Sequence, residues 1–154
     1  MLKKMLESGV YKRGELDIPK VIGEILSKGL KNVGSLMSFI GVVRENGKDG
    51  KKVSRVDMEA YEQPASITIG KISKEIKEKY HLSLVRMYHF VGSFEIGEPL
   101  VFIVIGGQSR KDTFPALQEA VERYKTEPYV FKREVYNNGT HAWISDERDD
   151  SKIK

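Results

Sequence analysis

The sequence predicts one two-layer α+β domain with a largely antiparallel sheet, in the element order α-ββαββαββ. The composition is the first reason, because 40% of the 154 residues are hydrophobic and 31% are charged, as in a globular domain. The second reason is that runs rich in β-branched residues occur in pairs. The third is that each pair follows a segment whose apolar residues recur at helical spacing.

The first half of the chain predicts a helix and two strands. Asp17 can cap a helix over 18–29, which Gly29 can end. The apolar run 34–45 predicts a buried strand, and a polar glycine-containing turn connects it to a strand over 52–62. Because this turn is short, we expect the two strands to form a hairpin.

A second helix and a second pair of strands follow. The helix is predicted from Pro64 to about Tyr80, with isoleucines along its buried side. Strands are predicted over 82–92 and 99–107. The second is so apolar that it should lie in the middle of the sheet, covered on both faces.

The last third of the chain predicts a helix and a hairpin. Asp112 can cap a helix that ends near Thr126, and its predicted core stripe is Phe114, Leu117, Val121 and Tyr124. Segments 130–136 and 140–146 flank the turn Asn137-Asn138-Gly139 and predict the hairpin. We expect its aromatic side chains, Tyr136 and Trp143, to pack in the core.

Composition also restricts the chemistry. The chain contains no cysteine, which excludes disulfides, thiolate metal ligands and a persulfide carried by this chain. The three histidines lack metal-ligand spacing, so we expect neither a metal site nor a cofactor. No apolar run approaches the ~20 residues of a membrane span, and the first residues do not resemble a secretory signal. A cytoplasmic location is therefore expected.

The net charge of +4 favours an anionic ligand or an acidic partner surface. Charges of both signs are interleaved, and no strand carries stacking aromatics between basic residues. An RNA-binding domain is therefore the weaker interpretation, and we expect no nucleic-acid partner.

Two lysines are candidate catalytic residues. On a helical wheel at ~100° per residue, Lys125 lies at the edge of the third helix's apolar stripe. Lys132 follows on the next strand, which can bring both ammonium groups to one cleft. Such a pair would attract phosphate and could carry protons. Taken without other information, however, a lysine near a helix C-terminus is more often a solvated residue that the helix dipole favours.

Two arginines end apolar strands next to loops, where ligand groups often gather. Arg44 precedes the polar turn, and Arg110 precedes the third helix. A guanidinium can form two hydrogen bonds to one phosphate, and the helix amides after Arg110 could add to an anion site. For either residue alone, a structural role at the strand end is the simpler explanation.

Four separated blocks resemble the MoaE family, the large subunit of molybdopterin synthase. They are FIGVVRENGKDGKKVSRVDMEAYE, HFVGSFEIGEPLVFIVIGGQSRKDTF, RYKTEPYVFKRE and NNGTHAW, in the family's order and spacing. The resemblance covers 34–147, with a helical segment at 1–33 before it and a polar tail at 148–154 after it. The whole chain is therefore interpreted as a single domain.

The resemblance implies an α/β hammerhead-type fold and a homodimer. Each end of the dimer would bind a small ubiquitin-like sulfur carrier, which gives a heterotetramer. The carrier's C-terminal Gly-Gly thiocarboxylate would donate sulfur to cyclic pyranopterin monophosphate, and two transfers would form the dithiolene of molybdopterin. A chain without cysteine agrees with this activity, because the carrier holds the sulfur.

The resemblance also implies the site residues. Lys125 matches the family's essential lysine and Lys132 its second pocket lysine. The residues that fall in its substrate-contact segments are Val42, Val43, Arg44, Ser109, Arg110, Arg133 and Glu134, together with both lysines. Three positions depart from the family pattern: Ser109 replaces a histidine, Phe90 an arginine and Phe131 a tryptophan. The alternative is therefore a non-catalytic homologue that binds the carrier as a scaffold.

Overall fold

A computed structural model describes residues 5–145. Within that range it contains seven strands and three α-helices. In chain order they are β1 (Gly9–Lys12), α1 (Ile18–Ser27), β2 (Ser35–Val42), β3 (Val53–Ala60), α2 (Glu62–Lys79), β4 (Leu84–Glu95), β5 (Pro99–Gly107), α3 (Arg110–Thr126), β6 (Val130–Tyr136) and β7 (His141–Ile144). The predicted tail 148–154 lies outside the described residues.

The strands form one sheet in the order β2-β5-β4-β3-β6-β7, and all of these neighbours are antiparallel. The short strand β1 pairs in parallel with β4. The two halves of β4 have different neighbours, since Leu84–His89 pairs with β5 and Gly92–Glu95 pairs with β3. Gly92 lies where the neighbour changes and has a φ of 133°, a conformation that glycine adopts far more readily than other residues.

The helices cover one half of the sheet on both faces. The isoleucine stripe of α2, predicted correctly, packs with α3 against β4 and β5. On the opposite face, Ile18 and Ile25 of α1 join a second cluster that includes Tyr88 of β4 and Val56 of β3. This second cluster contains residues from both halves of the sheet. The apolar strand β5 is buried between β2 and β4, as predicted.

The predicted hairpin between the second and third strands is wrong. β2 pairs with β5 at the edge of the sheet, while β3 lies between β4 and β6. The connection is the irregular segment 43–52, which contains a short 3-10 turn at Lys48–Gly50. The two sides of this segment are linked by an isolated bridge between Asn46 and Lys52 and by hydrogen bonds from the Gly47 and Val53 N–H groups to the Lys51 and Glu45 carbonyls. Strand pairing across the sheet therefore outweighed the local preference for a tight turn.

Other details also differ from the prediction. Strand β1 was not predicted, because four residues carry little periodicity. Helix α3 starts earlier, with Ser109 rather than Asp112 as its N-cap. Its buried residues are Thr113, Ala116 and Ala120, whereas Phe114 is exposed. Small residues allow the helix to approach the sheet closely, so the larger side chains lie at the border of the contact.

A row of polar side chains crosses four strands on one face of the sheet. Asp57 of β3 is buried, accepts hydrogen bonds from Ser93 of β4 (2.8 Å) and Arg133 of β6 (2.6 Å), and also bonds Arg55. The Arg133 guanidinium lies 5.5 Å from the ring centre of Trp143. Trp143 is half exposed, so its predicted core position is wrong, whereas Tyr136 is buried as expected.

Replacing Asp57 with asparagine should lower the free energy of unfolding by about 2 kcal/mol at pH 7. Burial alone would raise the pKa of Asp57, but its hydrogen bonds to Arg133, Ser93 and Arg55 outweigh burial and lower the pKa to about 2. The stabilisation is therefore complete above the ordinary pKa and is lost as pH falls towards 2. Urea unfolding between pH 7 and pH 2 measures it.

Asp49→Asn is the matched control for this prediction, because Asp49 is exposed in the segment after β2. It should leave stability within about 0.5 kcal/mol of the unsubstituted protein. Equal stability of the Asp57 variant and the control at pH 7 would contradict the proposed role of the row.

Within residues 5–145, no helix is long and apolar enough to cross a membrane.

Candidate active site

A cavity of 810 Å³ lies where the C-terminal ends of β2 and α3 meet β6. The α3 helix ends at Thr126, and the chain turns through Pro128 into β6. This turn brings Lys125 of the last helical turn and Lys132 of β6 to the same cavity, as predicted. The volume lies in the range of small-molecule binding sites.

The segment after β2 supplies two more cations. Arg44 lies two residues after the end of β2, and Lys48 lies at the start of the 3-10 turn. Both line the cavity. Lys48 was not among the predicted residues, because the segment was interpreted only as a turn. Among the described residues of the cavity wall, four side chains carry positive charge and one, Glu134, carries a carboxylate. Such an arrangement favours an anionic ligand.

Glu134 forms a hydrogen bond that holds the segment after β2, which carries Arg44 and Lys48. Its side chain is buried on β6 and accepts hydrogen bonds from the Lys48 backbone N–H (3.0 Å) and the Tyr136 hydroxyl (3.1 Å). A Cβ at Gly47 would lie 2.9 Å from a Glu134 oxygen and 2.6 Å from Val53. Only glycine therefore lets the backbone approach this carboxylate without a shift of its neighbours. Glu134 also lines the cavity, and both of the hydrogen bonds it accepts come from the protein itself.

A buried histidine forms part of the inner wall. His89 of β4 is 5% exposed and lies 5.8 Å, ring centre to ring centre, from Tyr124 of α3. Burial lowers the pKa of His89 to about 4, although a hydrogen bond to the Phe90 carbonyl opposes this change. The imidazole is therefore neutral at pH 7. Sequence reasoning assigned no role to His89, but the alternation Val85, Met87, His89 was a signal that it continues an apolar face.

Five of the nine predicted site residues line the cavity, namely Val42, Arg44, Lys125, Lys132 and Glu134. Val43 does not, because it is buried in the core beneath the segment. Arg133 does not, because adjacent residues of a strand face opposite sides of the sheet. Its guanidinium bonds Asp57 instead.

Ser109 and Arg110 lie at the other end of α3. The Ser109 hydroxyl accepts a hydrogen bond from the Lys111 N–H, so it caps the helix. Arg110 is the first helical residue, and Lys125 lies fifteen positions later. At 1.5 Å per residue this separation is about 22 Å, so Arg110 and Lys125 of one chain do not share a cavity. Ser109 and Arg110 can therefore belong to this site only if a second chain supplies them.

Comparison with known protein families identifies the family of this chain. The family described as "MoaE protein" matches residues 12–127, which is most of the chain. The chain belongs to the MoaE family. The match includes β2, Arg44, His89 and the whole of α3 with Lys125.

Curated relatives of this MoaE chain support the assignment. The molybdopterin synthase catalytic subunit of Bacillus subtilis is 34% identical over 117 residues, which cover 76% of this chain and 73% of that protein. The protein of the same name from Halalkalibacterium halodurans is 30% identical over 133 residues, with 86% and 84% of the two chains covered.

Solved structures show the same fold. Molybdopterin synthase from Staphylococcus aureus has a TM-score of 0.80 at 24% identity and covers 93% of this MoaE chain and 100% of its own. A complex of subunits 1 and 2 of the molybdopterin-converting factor from Helicobacter pylori has a TM-score of 0.72 at 20% identity, with 94% and 97% covered. The predicted α+β class with a largely antiparallel sheet is thus confirmed.

Replacing Glu134 with alanine should release the segment after β2 in this MoaE chain. The Lys48 N–H and the Tyr136 hydroxyl would each lose an acceptor, which costs about 1–3 kcal/mol of unfolding free energy. Hydrogen exchange of the Lys48 amide should become faster. Lys48→Ala is the matched control, since it removes the ammonium group but keeps the backbone N–H. Unchanged exchange in the Glu134 variant would show that the carboxylate does not hold the segment.

Proposed function

We propose that this protein is the catalytic subunit of a molybdopterin synthase, an enzyme of molybdenum cofactor biosynthesis. It would transfer sulfur from the thiocarboxylated C-terminus of a small ubiquitin-like carrier to cyclic pyranopterin monophosphate. The observation that carries the proposal is the convergence of Arg44, Lys125 and Lys132 on one cavity in a MoaE-family chain.

The cations have two tasks in this reaction. Arg44 and Lys48 can hold the substrate phosphate, because guanidinium and ammonium groups supply charged hydrogen bonds. Lys125 and Lys132 lie on the opposite elements of the cavity, α3 and β6, where they can stabilise negative charge and transfer protons as sulfur adds to the pterin. In each transfer a carbon–sulfur bond to the pterin forms as a carbon–oxygen bond of the substrate breaks, and the displaced oxygen either stays on the phosphate as the cyclic ester opens or leaves as water. The carrier's own carbon–sulfur bond is then hydrolysed, and the oxygen of water remains on the carrier as part of a carboxylate.

The sulfur must come from another molecule, because the chain contains no cysteine. The carrier's C-terminal Gly-Gly segment is narrow enough to enter a cavity beside a bound pterin. The Helicobacter pylori molybdopterin-converting factor is a complex of subunits 1 and 2, and this supports a small partner subunit for the present chain. The identity of the thiocarboxylate as its reactive group is part of our proposal, as is a cytoplasmic location.

A homodimer would complete the site. The Gly34 N–H donates a hydrogen bond to the Gly107 carbonyl, so the start of β2 lies near Ser109, where α3 also begins. Both elements end near the cavity. β2 is an edge strand, and its Ile40 and Val42 are 42% and 51% exposed. A twofold axis near the middle of this edge would place the start of one α3 beside the end of the other. Arg110 would then reach the partner's cavity.

Reconstitution tests the proposed function. The protein is incubated without oxygen with the thiocarboxylated carrier and cyclic pyranopterin monophosphate, and dithiolene product is measured. Product in proportion to thiocarboxylate consumed supports the enzyme. Carrier binding without product would instead support the scaffold interpretation. Carrier that ends in a carboxylate is the matched control and should yield no product.

A further inference from the structure

His89 interrupts an apolar row at the point where the row reaches the cavity. Val85, Met87 and His89 alternate along β4 and face the helical layer. The first two are buried among apolar side chains, whereas His89 lies beside Val101 and Tyr124 in the cavity wall. Packing alone would favour an apolar residue here, because a buried polar group costs free energy unless it is hydrogen-bonded.

The hydrogen bonds of His89 define which ring nitrogen is available. Nδ1 lies 3.2 Å from the Phe90 carbonyl oxygen, which can only accept, so Nδ1 carries the proton. Nε2 then has a lone pair and can only accept. Among the described residues 5–145, the hydrogen bond given for the His89 ring is the one at Nδ1. His89 lines the cavity, so Nε2 is the ring nitrogen left to accept a hydrogen bond from a ligand there.

The cationic groups of the cavity have the opposite character, while the hydroxyls of Tyr124, Thr126 and Ser145 can both donate and accept. Arg44, Lys48, Lys125 and Lys132 offer only donors. The carboxylate of Glu134 already accepts two hydrogen bonds from the protein. These groups suit a phosphate, but a reduced pterin also has an amino group and ring N–H groups that need acceptors. An acceptor-only nitrogen on the inner wall is complementary to them.

We propose that His89 Nε2 accepts a hydrogen bond from an N–H group of the pterin ring and so orients the ring in the cavity. His89 is thus a substrate-binding residue that determines specificity for the ring, in addition to the cations that hold the phosphate. The inference rests on the proposed function, because it takes the pterin as the substrate. Since the imidazole stays neutral, the same acceptor is present throughout the neutral pH range.

Two substitutions separate this role from packing. His89→Phe keeps an aromatic ring but removes the acceptor, and it should weaken binding of cyclic pyranopterin monophosphate about tenfold. His89→Gln restores an acceptor oxygen near the position of Nε2 and should recover most of the affinity. Met87→Leu is the matched control, because Met87 belongs to the same row but lies outside the cavity. It should bind the pterin as the unsubstituted protein does.

Nitrogen-15 spectra of the imidazole rings test the contact directly in the unsubstituted protein. The chain has three histidines, and His89→Gln identifies the His89 signals. Cyclic pyranopterin monophosphate and a phosphate-free tetrahydropterin should both shift the Nε2 signal, whereas inorganic phosphate should not. A shift with phosphate alone, or unchanged pterin affinity in His89→Phe, would overturn the proposal.

The proposed function and the role of His89 can fail separately. Tight pterin binding with the expected Nε2 shift but no dithiolene product would reject the enzyme and keep the His89 contact. Dithiolene formation with normal pterin affinity in His89→Phe would keep the enzyme and reject the contact. Absence of pterin binding to the unsubstituted protein would reject both.

Discussion

Replacing Lys125 with alanine should lower the rate of dithiolene formation by about 10²- to 10⁴-fold, the usual contribution of a positioned proton donor or charged contact. Lys125 lies in the last turn of α3 and lines the cavity opposite Arg44 and Lys48. Its side chain is exposed, so the fold does not depend on its packing. Single-turnover assays with thiocarboxylated carrier measure the rate.

Two further variants make this result interpretable. Lys74→Ala removes an exposed lysine from α2 and should leave both activity and stability unchanged. Lys125→Arg keeps the charge but changes the geometry and the acidity, so partial activity would indicate an electrostatic role and its absence a proton-transfer role. Normal turnover in Lys125→Ala, with normal thermal unfolding, would reject the assignment of Lys125 as a catalytic residue.

Mixed dimers should show whether Arg110 acts in the partner's cavity. Arg110→Ala alone should weaken substrate binding by about 1.5–3 kcal/mol if a charged hydrogen bond is lost. A dimer of one Arg110→Ala chain and one Lys125→Ala chain would have one cavity with both residues intact. It should therefore have about half the activity per dimer of the unsubstituted protein. Two different affinity tags allow this mixed dimer to be isolated before the assay.

The reversed combination is the matched control. An unsubstituted chain paired with a chain that carries both substitutions should have no intact cavity if Arg110 crosses to the partner. If Arg110 acts within its own chain, this control should keep about half the activity and the first mixed dimer should lose it. Light scattering at micromolar concentration comes first, because a monomer would rule out the shared site altogether.

The predicted elements succeeded where the local pattern was strong. The isoleucine stripe of α2 and the continuous apolar run of β5 were both identified, since each has one period over many residues. The hairpin between β2 and β3 failed, because a short polar turn does not specify which strands pair. The exposed Phe114 shows the same limit, since the wheel of α3 indicates an apolar side but not how closely the helix approaches the sheet.

The residues of the candidate site were likewise predicted only in part. Lys125 and Lys132 are close in the chain, and the turn at Pro128 makes their convergence a local event that sequence reasoning could anticipate. Arg133 was assigned to the same site, although strand alternation places neighbouring side chains on opposite faces. Which face holds the cavity depends on how β6 packs beside β3, so only the structure separated Lys132 from Arg133.

The sequence by itself determined the fold class, the MoaE resemblance, the absence of a sulfur-carrying thiol and three of the cavity's cations. These properties depend on residue type and on spacing over short segments. The tertiary structure decided that Lys48 and His89 belong to the cavity and that Glu134 holds the segment after β2. Each of these depends on contacts between residues far apart in the chain, which local patterns do not specify.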